Sequence, residues 1–413
     1  MPHRLRVLVF LFALIFVMYL DRLCIAVAGP RMQADLHLTP VQFGWVIGAF
    51  TIAYAAFEIP SGALGDRIGP RRVLTRIVLW WSAFTAATGL ARSYPVLLVV
   101  RFLFGAGEAG AFPNCAATIS RWVPKSERAR SLSTLWVASG FGGIMTPLIV
   151  VSIQKSYGWR LPFYLFAILG VAWSAAWWVW FRDRPQWKKG VSEAELRLIG
   201  DPAPSHGPVP WARLFRDRNL QLLMLMYHCY CWGAYFYLSW LPTYLQLGRR
   251  LTEDQMKYAS SLPAAAGLIG VASGGYLSDR LARRHSLRVA RCTIGSACLI
   301  GAGILLAAAA LTANVRNAVI LITLGLGVMN GMLPVSWSLC VDLGREHSGA
   351  VSGAMNTAGQ IGSFVSSVCF GYIVQASGSY DRGLLPLAAM LIVSGSIFAA
   401  IRPGDKPLFL SEG

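Results

Sequence analysis

The chain is a succession of apolar stretches, each long enough to cross a bilayer, parted by short polar turns. A helix rises about 1.5 Å per residue, so roughly 20 apolar residues span a hydrocarbon core about 30 Å thick. The pattern predicts twelve such helices, at 7–29, 41–64, 74–91, 95–116, 131–154, 160–181, 219–245, 256–278, 288–311, 316–340, 349–375 and 382–401. Composition points the same way. The chain is 55% hydrophobic and 14% charged, against about 25% charged residues in soluble domains. The expected fold is an all-α integral membrane protein with twelve transmembrane helices in two pseudo-symmetric six-helix bundles.

An even number of crossings puts both termini on one side. Of the 37 Lys and Arg, 26 lie in the tails and loops of that side, nine in the opposite loops, and Arg22 and Arg101 within spans. The positive-inside rule then sets the termini in the cytoplasm, and the expected location is a bacterial inner membrane. The net charge of +18 becomes a topology and lipid-headgroup signal rather than a nucleic-acid footprint. Arg4 and Arg6 precede an apolar run too long for a signal-peptide core, with no small-residue cleavage site after it. That run reads as a retained first span. All eight cysteines sit in apolar stretches and read as small apolar fillers. Cys229 and Cys231 would point about 200° apart on a helix, which suits no metal. No metal and no cofactor are expected.

The longest polar segment, 182–218, divides the chain into an N-terminal bundle (1–181) and a C-terminal bundle (219–413). Ser192 to Glu195 has capping-box spacing, so a short helix is expected to start there. The halves repeat. Gly-Ala-Leu-Gly-Asp-Arg-Ile-Gly-Pro-Arg-Arg at 62–72 follows the second span, and Gly-Gly-Tyr-Leu-Ser-Asp-Arg-Leu-Ala-Arg-Arg at 274–284 follows the eighth. Such duplication marks two-bundle alternating-access transporters. The first loop resembles the signature loop of the major facilitator superfamily. Asp66 can cap a helix or pair with a basic group across a seam. Asp66, Arg67, Asp279 and Arg280 are therefore the candidate gating residues.

Further motifs are Tyr19-Leu20-Asp21-Arg22, the run Arg101 to Pro113 with Gly105, Gly107, Glu108 and Gly110, then Trp122 with Pro124, Gly158-Trp159-Arg160 and Trp240-Leu241-Pro242-Thr243-Tyr244. With these the chain resembles, within that superfamily, the anion:cation symporters, carriers of hexonates, hexuronates, tartrate and other organic acids.

Few ionisable residues lie at membrane depth: Asp21, Arg22, Glu58, Arg101 and Glu108. A charge at the bilayer centre costs about 2.5–3.5 kcal/mol, so each needs a partner or a wet cavity. Helical rise lets Asp21, Arg22 and Arg101 share one level. Arg101 and Glu108 are seven apart, hence on one face and about 10 Å apart in depth. Arg22, Arg101 or both are expected to bind a substrate carboxylate through the guanidinium fork. Asp21 and Glu108 are expected to carry protons, with the anion competing with an acid for the same arginine. A fixed set of ion pairs ordering the bundle is the alternative. Tyr54 and Glu58 share a face of the second helix. The resemblance implies substrate contact for Tyr54, while Glu58 is a further proton site, an inner gate acid or a structural acid.

The second half has no charge at the centre of any span. Its candidates are His228, Tyr230, Tyr235, Tyr237 and Trp240 on the seventh helix, and Asn330, Ser336, Trp337, Ser338, Asn356 and Gln360 on the tenth and eleventh. Tyr235 and Asn356 fit the family motifs, and Trp337 joins them as a substrate-binding candidate. His228 reads as a core histidine bonded to a neighbour. The expected activity is proton symport of a small organic anion, first of all a sugar acid, by a monomer. A proton-independent facilitator or exchanger and an intramembrane enzyme are the alternatives. The latter lacks a metal constellation, a nucleophile motif and a soluble catalytic domain.

Overall fold

In the computed structural model, residues 1–200, 211–284, 286, 288–344 and 347–403 are described, without the side chains of Ala63, Asp66, Lys125, Ala129 and Arg213. Twelve long helical segments follow one another: α1 (His3–Asp35), α2 (Pro40–Ile68), α3 (Pro70–Leu90), α4 (Tyr94–Trp122), α5 (Arg128–Tyr157), α6 (Leu161–Trp180), α7 (218–248), α8 (Glu253–Ala282), α9 (Arg288–Leu311), α10 (Val315–Gly344), α11 (Ser348–Ser377) and α12 (Tyr380–Ala400). No strand occurs among the described residues. Ten of the twelve are long and apolar enough to cross a membrane by length and composition alone. The other two depart for local reasons. In α7, π-helical stretches at Phe236–Trp240 and Tyr244–Gly248 flank Pro242, whose ring cannot continue a regular α-helical ladder. The middle of α8 is diluted by Ser, Gly and Pro263.

The chain packs as two compact units. Unit 1 holds residues 1–37 and 49–205, and unit 2 holds 38–48 and 206–413. The start of α2 is thus packed within unit 2, where Phe43 meets Trp240 edge-on at 5.3 Å. At the C-terminal ends of the first helix of each half the two units use the same device with the charges exchanged. In unit 1 the acid Asp35 closes α1 and takes Arg160 at 2.7 Å. In unit 2 the base Arg249 follows α7 and takes Asp381 at 2.8 Å, with Tyr244 donating to the same carboxylate.

The fourth helix of each half is broken in the middle. α4 stops at Glu108 and restarts at Ala111, and α10 stops at Asn330 and restarts at Leu333. A Gly-x-x-Pro run stands at each break, Gly110 to Pro113 and Gly331 to Pro334. Each proline lacks the N–H that would bond the carbonyl four residues back. The repeated loop motif packs on these same prolines. A Cβ at Gly62 would lie 3.3 Å from Pro113 Cβ, and one at Gly275 would lie 3.6 Å from Pro334 Cβ. These glycines therefore let the second helix of each half approach the broken fourth helix closely.

Gly110 itself has φ +88°, and a Cβ there would come within 2.4 Å of Ser61 Cβ. The left-handed conformation alone costs a residue with a side chain about 1–2 kcal/mol. Gly110→Ala is expected to lower the thermal unfolding midpoint of the purified protein by several degrees. Gly353→Ala, in a helix interior with nothing within 4 Å, is expected to hold or raise it. Equal midpoints for the two variants would contradict the strain at the break.

Candidate functional site

The charges predicted at membrane depth all belong to unit 1, where α1, α2 and α4 bring them together. Asp21, Arg101 and Glu108 are almost fully buried, and Glu58 is buried. Arg22 and Glu108 form a direct ion pair. The guanidinium donates from Nε to Glu108 Oε1 at 2.8 Å and from Nη2 to the same oxygen. Both nitrogens thus converge on one carboxylate oxygen. The other, Oε2, is buried and accepts no hydrogen bond among the described residues.

Aromatic rings hold the guanidinium from other sides. Arg22 stands 5.0 Å from the Phe50 ring centroid, 5.1 Å from Tyr54 and 5.5 Å from Tyr19. Arg101 shares the Phe50 ring at 5.2 Å and packs on Phe104 at 4.4 Å. One ring therefore lies beside both cations. Cation–π contact stabilises a desolvated arginine without neutralising its charge. Phe50 was not predicted as a site residue. It lies four residues before Tyr54 on the same face of α2, and that spacing is its only sequence signal.

Asp21 points away from Arg22. Its carboxylate faces the Thr85 hydroxyl and the Trp81 indole on α3 and lies within electrostatic reach of Arg101, Glu108 and Cys24. None of Asp21, Trp81 Nε1 and Thr85 Oγ1 completes a hydrogen bond among the described residues. Trp81 and Thr85 are two further residues that the sequence reading missed, because α3 otherwise reads as plain lipid-facing apolar helix. Glu58 lies one turn beyond Tyr54 and acts electrostatically on it.

In unit 2 the Tyr235 hydroxyl donates to Gln360 Oε1 at 3.3 Å. Trp337 lies beside Tyr227, and Asn356 is half-buried on α11. His228 is bonded through Nδ1 to the Ala358 carbonyl at 3.1 Å. Tyr237 donates to Ile322 O and Trp240 to Ser367 O, so both serve packing. Of the gating candidates, the Asp66 side chain lies outside the described residues, and Arg67 and Arg280 are exposed. Asp279 pairs with Arg291 at 3.3 Å, and Arg291 also pairs with Asp342 at 3.4 Å. That cluster ties α8, α9 and α10 together within unit 2.

A helical chain of twelve long segments that repeats its broken fourth helix and its loop motif in two halves has the build of a membrane transporter. The chain belongs to the Major Facilitator Superfamily, whose family model matches residues 11–367. It is 35% identical to the "Probable sulfoacetate transporter SauU" of Cupriavidus necator over 94% of this chain and 91% of that protein. It is 29% identical to the "Hexuronate transporter" of Bacillus subtilis over 97% of this chain and 94% of that protein. Among solved structures it resembles an inward-facing, unoccupied bacterial homolog of the human lysosomal transporter Spinster. There the TM-score is 0.79 over 97% of both chains at 19% identity, a likeness of fold. The relatives are transporters of organic anions and sugar acids, and the protein is a multi-pass membrane transporter rather than an enzyme.

Proposed function

We propose that the protein is a secondary active transporter that brings a small organic anion, a sugar acid first of all, across a bacterial inner membrane together with protons. The observation that carries the reading is the buried Arg22–Glu108 pair with Asp21 and Arg101 beside it. An incoming carboxylate competes with Glu108 for Arg22, and the released Glu108 then takes a proton rather than stay charged in a dry site. Asp21 carries the second titratable position. Tyr54, Tyr235, Asn356 and Trp337 contribute hydroxyl, amide and indole groups to substrate recognition. Bundles 1–181 and 219–413, joined by linker 182–218, alternate access with Asp66, Arg67, Asp279 and Arg280 at the gates. Both termini face the cytoplasm, and a monomer suffices. The hexuronate relative supports a sugar acid, and the sulfoacetate relative supports a compact acid with a sulfonate.

The test uses proteoliposomes with an imposed pH gradient and a panel of hexuronate, galactonate and sulfoacetate. Acidifying the outside is expected to drive accumulation of one of them above its outside concentration. Asp21→Asn is expected to abolish that accumulation and to retain exchange of labelled for unlabelled substrate. Uptake by the unaltered protein that ignores the pH gradient would instead identify a facilitator or exchanger.

A further inference from the structure

At the end of unit 1 that carries the N-terminus, a cavity of about 310 Å³ is lined by Ile68, Arg71, Arg72, Arg182, Asp183 and Trp187. Its walls come from the signature loop between α2 and α3 and from the segment that leaves α6. Helix α6 ends there, and basic side chains satisfy its last carbonyls. Trp178 O accepts from Arg71 Nε at 3.1 Å, Val179 O and Phe181 O accept from Arg182, and Trp180 O accepts from Lys188. These contacts fix three cations at a helix C-terminus, where the dipole favours them. Asp183 is already committed, since its carboxylate accepts from the backbone N–H of Arg71 at 2.8 Å in the first turn of α3.

The cluster therefore has more cations than anions. Arg71, Arg72 and Arg182 face one carboxylate across the cavity, and Lys188 and Arg6 lie within electrostatic reach. Lys188, outside the membrane-spanning segments, registers the excess. Burial, then Arg182, Arg6 and Arg71, depress its pKa below the ordinary lysine value. Arg71 stands over the Trp178 ring, 4.3 Å from its centroid, and Arg184 and Lys188 also stand over tryptophans. Trp178, Val179, Trp187 and Ile68 are exposed around the rim. Exposed tryptophans at the end of an apolar helix mark the headgroup level of a bilayer. Fixed guanidinium groups, a cavity of headgroup size and an apolar rim at that level suit a phosphodiester that carries acyl chains.

We infer that the cavity bounded by Arg71, Arg72, Arg182 and Trp187 binds the headgroup of an anionic phospholipid. The phosphodiester sits among the guanidinium groups, and the acyl chains run along Ile68 and Val179. The site lies wholly in unit 1 and is separate from the buried Arg22–Glu108 pair. The inference does not depend on the transported substrate.

The test is native mass spectrometry of the full chain released from nanodiscs that contain phosphatidylcholine with phosphatidylglycerol or cardiolipin. The unaltered protein is expected to retain phosphatidylglycerol or cardiolipin preferentially over phosphatidylcholine. Arg72→Gln removes an exposed guanidinium and should reduce that retention about fivefold, the effect of one basic residue near a charged headgroup. Arg72→Lys should restore most of it. Arg72→Gln combined with Arg182→Gln should abolish the preference, with a thermal unfolding midpoint reported for each variant so that misfolded protein is not scored. Equal retention of anionic and neutral lipid by the unaltered protein would overturn the inference. So would unchanged retention by a folded double variant, or inorganic phosphate displacing the bound lipid at millimolar concentration.

Discussion

Arg101→Ala is expected to abolish organic-anion uptake in proteoliposomes while the protein still inserts and unfolds cooperatively. Arg101 is almost fully buried in α4 and rests on the Phe50 and Phe104 rings. Its charge acts on Asp21 and on Glu108. Truncation leaves the rings packed on one another, with Phe50 already 5.5 Å from Phe104, so the local core survives. The cation does not survive, and a carboxylate entering a dry site without one meets the full cost of desolvation. Arg101→Lys keeps the charge but loses the planar fork and the ring stacking. It is expected to leave about a tenth or less of the uptake rate, chiefly through a raised KM. Uptake by Arg101→Ala at the unaltered rate would remove this residue from the site.

The second large effect concerns the Arg22–Glu108 pair. Breaking a buried ion pair by deleting one partner costs about 3–5 kcal/mol, because the remaining group must either stay charged without compensation or take up a proton at neutral pH. Arg22→Ala is therefore expected both to stop uptake and to lower the unfolding midpoint sharply. Glu108 is left with only the more distant Arg101. Adding Glu108→Gln removes the unpartnered acid and with it that cost. The double variant is expected to regain most of the midpoint and none of the uptake. The comparison separates the two roles, since stability follows the balance of buried charge whereas transport needs the arginine itself. Were the double variant to transport as well as the unaltered protein, the pair would be a structural tie with no part in substrate binding.

The capping-box spacing in the linker illustrates how far a local rule reaches. Ser192 caps the helix Glu193–Ile199 and accepts from Glu195 N at 3.2 Å, as its spacing predicts. The Glu195 carboxylate does not turn back to the cap. It accepts from the backbone N–H groups of His3 and Arg4 at 3.2 and 2.8 Å, and so caps the first turn of α1 instead. At α1 the carboxylate satisfies two orphan backbone donors at once, His3 and Arg4, whereas turning back to its own cap would satisfy only the Ser192 N–H.

The sequence alone determined the order of the long helices, the duplicated loop and the identity of the charges at depth. Each follows from a one-dimensional cost: an apolar run of given length belongs in hydrocarbon, and a charge placed within it must be compensated. Helical spacing also put Arg101 and Glu108 on one face, and Tyr54 and Glu58 on another. Which acid meets which arginine was decided only by tertiary structure. Arg22 reaches across to Glu108 on α4 rather than to its neighbour Asp21, because adjacent residues on a helix point about 100° apart. The same divergence turns Asp21 toward Trp81 and Thr85 on α3. The breaks at Gly110 and Gly331 were written in the chain as Gly-x-x-Pro. Their purpose became visible only once the glycines of the second and eighth helices were seen packed against those prolines.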